Sequence, residues 1–282
     1  MLTDAVLDLV LPRACVLCAG LSHDETRKMR DNENHPRLVC DRCWRAVPLL
    51  PPPLCARCGH PRRGTECRWC ASLPEHVSFA RSACWVPEGT GGQMSHQLKY
   101  GGWPALADEM VRALGPLPEQ WRTPGATLVV PVPLAPVRFR ERGYNQSAEL
   151  ARSLARQWRI PDAHGAILRT RETKSQVRLT PDQRSANVHG AFGAGPAATA
   201  MRGAHVVIVD DVVTTGATLN ACAAVAAAAG ATTISYVTFG RARAAFDRTP
   251  HPRSETRWQF VSASTASAAS VVRSSAPRKN AD

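Results

Sequence analysis

Long apolar runs are missing from this 282-residue chain, and none approaches the ~18 residues that a membrane-spanning helix needs. Its first eleven residues lack the basic leading segment of a secretory signal. They carry Asp4 and Asp8, with Leu2, Val6, Leu9 and Val10 on or near one face of a short amphipathic helix. A cytoplasmic location without membrane insertion is therefore expected. No lysine follows a glycine-rich turn in the G-K-[ST] manner, which argues against a Walker loop, and G-x-G-x-x-G does not occur. Acids are also scarce: 23 Asp and Glu face 35 Lys and Arg, a formal charge of +12. That balance suits an anionic partner such as a phosphorylated metabolite or a nucleic acid, although arginine-rich chains also simply present a solvated surface.

Cysteine, by contrast, is plentiful and patterned. Eight of the ten fall as four C-x-x-C pairs: Cys15/Cys18, Cys40/Cys43, Cys55/Cys58 and Cys67/Cys70. A reducing compartment disfavours disulfides, and four such pairs in a row argue against a redox couple, so the spacing points to metal. Each turn presents two sulfurs to one tetrahedral ion, and two turns complete a four-thiolate zinc site. Pro48, Pro51, Pro52 and Pro53 separate the first two pairs from the last two. Two structural zinc ions are expected, one on Cys15, Cys18, Cys40 and Cys43, the other on Cys55, Cys58, Cys67 and Cys70. A crossed pairing stays open. The segment 1–75 is Pro- and Arg-rich with few apolar runs, so zinc would supply folding free energy that a core cannot.

From about Val77 the texture changes to alternating strands and helices. Strands are expected over Val77–Val86, Thr127–Val130, Ala166–Leu168, His205–Asp210 and Thr232–Phe239. Helices are expected over Trp103–Leu114, Tyr144–Trp158 and Leu219–Ala229, the last closed by Gly230. This alternation implies an α/β domain over 76–240, with a mostly parallel sheet and helices on both faces. Beyond it, 241–282 holds eight Lys or Arg against three acids in a Ser/Ala/Pro-rich context and reads as a disordered basic tail.

The chemistry concentrates where strand Val206–Val209 runs into Asp210 and Asp211, then Val212-Val213-Thr214-Thr215-Gly216-Ala217-Thr218 and a helix. Ligands of open α/β sheets sit at the carboxyl ends of strands. Backbone N–H groups and hydroxyls at a helix start cradle phosphate, and Gly216 lets the backbone come close. Two carboxylates would repel that phosphate, so they must serve another part of the ligand. Vicinal ribose hydroxyls can donate to them, and a sugar 5-phosphate with two free hydroxyls satisfies the whole loop.

This string, V-D-D-V-x-T-T-G-A-T, resembles the phosphoribosyl-pyrophosphate (PRPP) signature of type I phosphoribosyltransferases. Pro131-Val132-Pro133-Leu134, Arg138, Arg140 and Arg142-Gly143-Tyr144-Asn145-Gln146 are similar to the corresponding signature of the ComF family. So are Lys99-Tyr100 with Gly102, and Arg171, Thr173, Gln176, Arg184 and Asn187. The family includes ComFC-type proteins of DNA uptake and GntX-like relatives, and the N-terminal C-x-x-C ribbons belong to its pattern. The resemblance implies a type I phosphoribosyltransferase-like fold behind a double zinc ribbon. It implies that Asp210 and Asp211 hold the ribose hydroxyls and that Thr214–Thr218 hold the 5-phosphate, with Arg142 joining the two acids as catalytic residues. It further implies that Arg138, Arg140, Arg142, Thr173, Gln176 and Arg184 serve the pyrophosphate and a hood loop, with Mg²⁺ accompanying PRPP.

Two functions from different classes follow. One is a Mg-dependent transfer of phosphoribosyl to a nitrogen acceptor, linked to DNA uptake; Glu141, His164 and Asp182 are weak candidates for its base. The other is a non-catalytic module for single-stranded DNA, alongside other competence proteins, with the PRPP site as sensor or scaffold. In that case Arg57, His60, Arg62, Arg63 and Arg68 would touch phosphates. Trp44 and Trp69 could stack on bases, although packing against the ribbons is the better expectation for both.

Overall fold

Four β-branched and apolar stretches line up side by side in the computed structural model, which describes residues 14–20, 37–62, 67–122, 127–172, 183, 187–188, 190–243 and 247. Strands β1 (Phe79–Val86), β2 (Thr127–Pro131), β5 (His205–Val213) and β6 (Thr233–Ala242) form one sheet in the order β1-β6-β5-β2. Every neighbouring pair in it is parallel, so each connection must cross over a face of the sheet. Strands β3 (Ile167–Arg169) and β4 (Phe192–Ala194) make a separate antiparallel pair.

The strands alternate cleanly between two cores. Val207 and Val209 pack with Val129 and Val237 on one face, together with Met94 and Leu98 of α2 (Gly89–Tyr100), Leu106 and Met110 of α3 (Leu106–Arg112), and Leu150 and Leu154 of α5 (Gln146–Trp158). Val206 and Ile208 pack on the other with Leu128, Val130, Ile234 and Tyr236, beneath Leu219, Cys222, Ala223 and Ala226 of α6 (Ala217–Ala228). The period of two along each strand is what splits the apolar side chains between the faces. Helices on both sides of a parallel sheet match the expected architecture. Gly230 closes α6 in the left-handed region at φ +87°.

Element ends differ from expectation in instructive ways. β5 runs on through Val213, three residues past the expected end at Asp210, so Asp211 lies within the strand as well. β6 continues to Ala242, where a Cβ on Gly240 would sit only 2.5 Å from Val86, so the close pairing of strands there depends on glycine. Three α-helices among the described residues went unforeseen: α1 (Asp41–Arg45) in the first ribbon, the glycine-rich α2, and α4 (Pro136–Arg142), in which no residue is buried. The expected N-terminal amphipathic helix lies outside the described residues, as does most of the expected basic tail. Among its described positions, Arg241 is buried, and Asp247 lies against the ribbons. No helix among the described residues is long and apolar enough to cross a membrane.

Candidate functional site

The cysteines assemble as two groups. Cys15, Cys18, Cys40 and Cys43 come together, and so do Cys55, Cys58, Cys67 and Cys70, with the four sulfurs of each group within 4.8 Å of one another. The pairing is sequential, not crossed. Close sulfur pairs stand at 3.8 Å (Cys18–Cys40), 3.5 Å (Cys55–Cys70) and 3.3 Å (Cys58–Cys67). A tetrahedral ion with zinc–sulfur bonds of about 2.3 Å needs sulfurs about 3.8 Å apart, so both sets fit structural zinc. Burial opposes ionisation of Cys55, but backbone N–H groups of Cys58 and Arg57 and neighbouring thiols outweigh it and bring the thiol to about 6.

Each cluster is fastened to the sheet domain differently. Glu109 of α3, 3% exposed, accepts from the backbone N–H groups of Leu38 and Val39 and, at 2.8 Å, from Trp44 Nε1. At the second cluster the attachment is cationic. Arg81 of β1 donates to Ala56 O (2.7 Å) and Arg57 O (3.1 Å), and buried Arg241 of β6 donates to Cys58 O (2.7 Å). Arg241 also lies 5.2 Å from the Trp69 ring centroid. Arg57 is itself committed to Pro74 O and Val77 O, while His60 is buried with Nε2 3.0 Å from Asp247 Oδ1. Trp44 and Trp69 therefore pack inward, as expected. Arg62 is exposed, and Arg63 and the Arg68 side chain lie outside the described residues.

At the carboxyl ends of β2 and β5 a cleft of about 220 Å³ opens, lined by every residue from Asp210 to Leu219. The turn into α6 depends on Gly216, the helix N-cap, at φ +78°. A Cβ there would find its nearest neighbour at 3.6 Å, so this glycine is needed for its backbone conformation rather than for space in the unliganded cleft.

Neighbouring strand residues point to opposite faces, and separate partners hold the two carboxylates. Asp210 accepts from Ser147 Oγ (2.7 Å) and from the backbone N–H of Asp211 (2.9 Å). Asp211, 3% exposed, meets Lys99 Nζ at 2.5 Å and Gln146 Nε2 at 3.5 Å. Burial, and then the like charge of Asp211, push the Asp210 carboxyl up to about 7 against the pull of Ser147 and Lys99. Burial alone would lower the Lys99 ammonium; the Asp211 carboxylate outweighs it and the net shift is upward.

The R-G-Y-N-Q string underlies this arrangement. Arg142 donates to Gln146 Oε1, and Gly143 ends α4 in the left-handed region at φ +82°. Tyr144 donates to Leu98 O (2.5 Å), tying α5 to the end of α2. Asn145 caps α5 by accepting from Ser147 N (3.1 Å) and donates to Val132 O (2.9 Å), fixing the loop after β2. Gln146 then reaches Asp211. Arg142 and Arg138 line a neighbouring groove that shares Lys99 with the cleft, and Arg140 is exposed on α4. Thr173, Gln176, Arg184 and Asp182 lie outside the described residues. Glu141 pairs with Arg138 at 2.7 Å, and His164 is exposed and does not line the cleft. Four polar side chains that line the cleft, Lys99, Gln146, Ser147 and Arg169, are not among the expected site residues. Lys99 was marked only as part of a string, because its partner lies 112 positions away.

Comparison with known proteins agrees with this layout. A double zinc ribbon domain model matches residues 6–73, and a phosphoribosyl transferase domain model matches residues 140–260. Competence protein F of Haemophilus influenzae is 37% identical over 92 residues, 33% of this chain and 40% of that protein. The DNA utilization protein YhgH of Shigella flexneri is 32% identical over 203 residues, covering 70% of this chain and 87% of the relative. A hypoxanthine phosphoribosyltransferase of Trypanosoma cruzi overlaps 58% of this chain and 71% of its own at 20% identity, with a TM-score of 0.28, too loose to bear on the fold. With a relative so fully covered, and with ribbon and transferase models matched in chain order, the chain belongs to the ComF family.

Proposed function

We propose that this protein binds PRPP at Asp210–Thr218 and transfers its phosphoribosyl group, with Mg²⁺, to a nitrogen acceptor. The observation that carries the reading is the cleft itself, in which two adjacent carboxylates at a strand end lead into a glycine-capped helix start. Asp210 and Asp211 accept the ribose hydroxyls; the N–H groups and hydroxyls of Thr214–Thr218 take the 5-phosphate. Among the described residues the cleft is lined by carboxylate, hydroxyl and amide oxygens, with Lys99 and Arg169 as its cations and no thiol or imidazole, a donor set that suits magnesium rather than a softer metal. When bound, magnesium supplies neutralisation of pyrophosphate charge, with Asp210 and Asp211 as the carboxylates available to hold it. The bond between the ribose anomeric carbon and pyrophosphate breaks, the carbon gains oxocarbenium character, and the acceptor nitrogen closes the new C–N bond. Arg142, with Arg138 and Arg140, offsets the negative charge that collects on the leaving pyrophosphate, and Thr173, Gln176 and Arg184 are assigned to the same end of the ligand. Catalysis is then positioning and charge stabilisation.

We assign the ribbons to 1–75 and the transferase-like domain to 76–242, since β6 carries it two residues past the expected boundary at 240, with the basic tail beyond it. The names of the relatives, competence and DNA utilization, support a role in DNA uptake. The test of turnover is pyrophosphate release from PRPP and Mg²⁺ across a panel of nucleobases and amines. Release that depends on acceptor and falls at least about a hundredfold in Asp211→Asn supports transfer; no release with any acceptor contradicts it.

A further inference from the structure

We propose that the second ribbon positions the phosphate turn through Arg241 and Trp69, so that metal on Cys55, Cys58, Cys67 and Cys70 sets how well residues 214–218 are ordered for a ligand. The path begins at a metal ligand. The carbonyl of Cys58 accepts from Arg241 at 2.7 Å, and the Arg241 guanidinium lies 5.2 Å from the ring centroid of Trp69, which stands between Cys67 and Cys70 in the chain. Trp69 donates in turn to Asp247 at 3.4 Å. On the other side, Arg241 is the strand partner of Val213, the last residue of β5 and the one before Thr214. One residue of β6 therefore meets the ribbon with its side chain and the root of the turn with its backbone. Arg241 is buried, and its Nε has no hydrogen-bond partner among the described residues. A ribbon that released Cys58 would leave this cation unsatisfied, and relief would require the end of β6 to open.

Ribbon and turn also share a wall. Cys58, Trp69 and Arg241 line a cavity of about 20 Å³ together with Thr215, Gly216 and Asn220. Such a space holds about one water, and close-packed walls pass a displacement on rather than absorb it. From the sheet the turn is tied by Asn220, whose N–H donates to Gly216 O (2.8 Å) and whose Oδ1 accepts from Tyr236 (2.9 Å). None of Thr214–Thr218 is fully buried, so their order depends on what stands behind them. The first ribbon has no comparable reach. It is fastened through Glu109 of α3 and through Thr90 of α2, whose hydroxyl donates to Cys43 O. None of its described residues lines the cleft or this cavity.

The experiment is amide hydrogen exchange of residues 213–219 in the full, zinc-loaded chain, with calorimetric titration of PRPP and Mg²⁺ alongside. In Cys70→Ser and in Trp69→Ala the turn should exchange at least about tenfold faster than in wild type, while residues 206–209 of β5 keep their protection. Trp69→Phe, which keeps a ring against Arg241, should recover most of the difference. A turn ordered one-tenth of the time binds its ligand about tenfold more weakly, so PRPP affinity should fall by about that factor and return in Trp69→Phe. Glu109→Ala, which loosens the first ribbon, should leave turn exchange and PRPP affinity unchanged. Coupling is reciprocal, so saturating PRPP should slow zinc release from the second cluster and not from the first. Unchanged turn exchange in both Cys70→Ser and Trp69→Ala overturns the proposal, as does equal loosening of the turn by Glu109→Ala. The loss of PRPP affinity rests on the reading of Asp210–Thr218 as its site. If wild type binds no PRPP that reading fails, and the exchange measurement still decides the role of the ribbon.

Discussion

The two cysteine clusters have the same four ligands and opposite surroundings. A zinc ion with four thiolates carries a net charge of about −2. Beside the second cluster stand two arginines, Arg81 and the buried Arg241, which offset that charge while binding the ribbon's carbonyls. Beside the first stands Glu109, a carboxylate paired with Arg112 at 4.0 Å, which binds the ribbon through its N–H groups and brings no cation to the thiolates. Either mode satisfies backbone groups that the ribbons cannot pair by themselves. Only the arginine mode also favours the metal. One sequence grammar can therefore give two sites of unequal metal affinity, and the inequality comes from the sheet domain.

The largest test of this contrast is metal removal. Structural zinc supplies on the order of 10 kcal/mol to a ribbon fold, so a chromophoric chelator should strip the ions in two phases. The first cluster should empty early and the second late. A single phase, or the reverse order identified with Cys18→Ser and Cys70→Ser variants, would break the comparison. Next in size is Glu109→Ala, which leaves one buried donor (Val39) and two partly buried ones (Leu38, Trp44) unpaired; about 3 kcal/mol of stability should be lost in denaturant unfolding. Arg241→Met should cost about 2 kcal/mol, since it leaves Cys58 O unpaired and withdraws the cation facing the thiolates. It should also speed loss of the slow zinc, and an unchanged slow phase would show that the arginine does not favour the metal.

A last effect concerns pH. The Asp210 carboxyl is raised to about 7 in the folded protein, above the ordinary value of 3.8. A folded-state value above the unfolded one means that stability is greatest at low pH in this window and is lost as pH rises from about 4 to about 7. Asp210→Asn should remove that loss, making the unliganded variant at least as stable as wild type at pH 8 in thermal unfolding. A variant less stable than wild type at pH 8 would contradict the burial account of Asp210.

Local chemistry made much of this legible. The β-branched run before Asp210, the glycine at Gly216 and the C-x-x-C spacing each act over a few residues, and each appears where the sequence implies. What escaped depends on distance or on packing. The glycines of Gly89–Tyr100 disfavour a helix on propensity, and burial of Met94 and Leu98 overrides them. Helix α4 buries nothing, so no apolar period announces it. Pairing of Lys99 with Asp211, and of Glu109 with the ribbon of Val39 and Trp44, joins positions tens of residues apart, which no local pattern records.

The central claim is that Asp210–Thr218 is a PRPP site, and calorimetric titration of the zinc-loaded protein with PRPP and Mg²⁺ tests it most directly. The account predicts saturable binding in wild type and none in Asp210→Asn/Asp211→Asn, with zinc content and fold intact in both. Absence of binding by wild type at millimolar PRPP, or equal binding by the double variant, would contradict it.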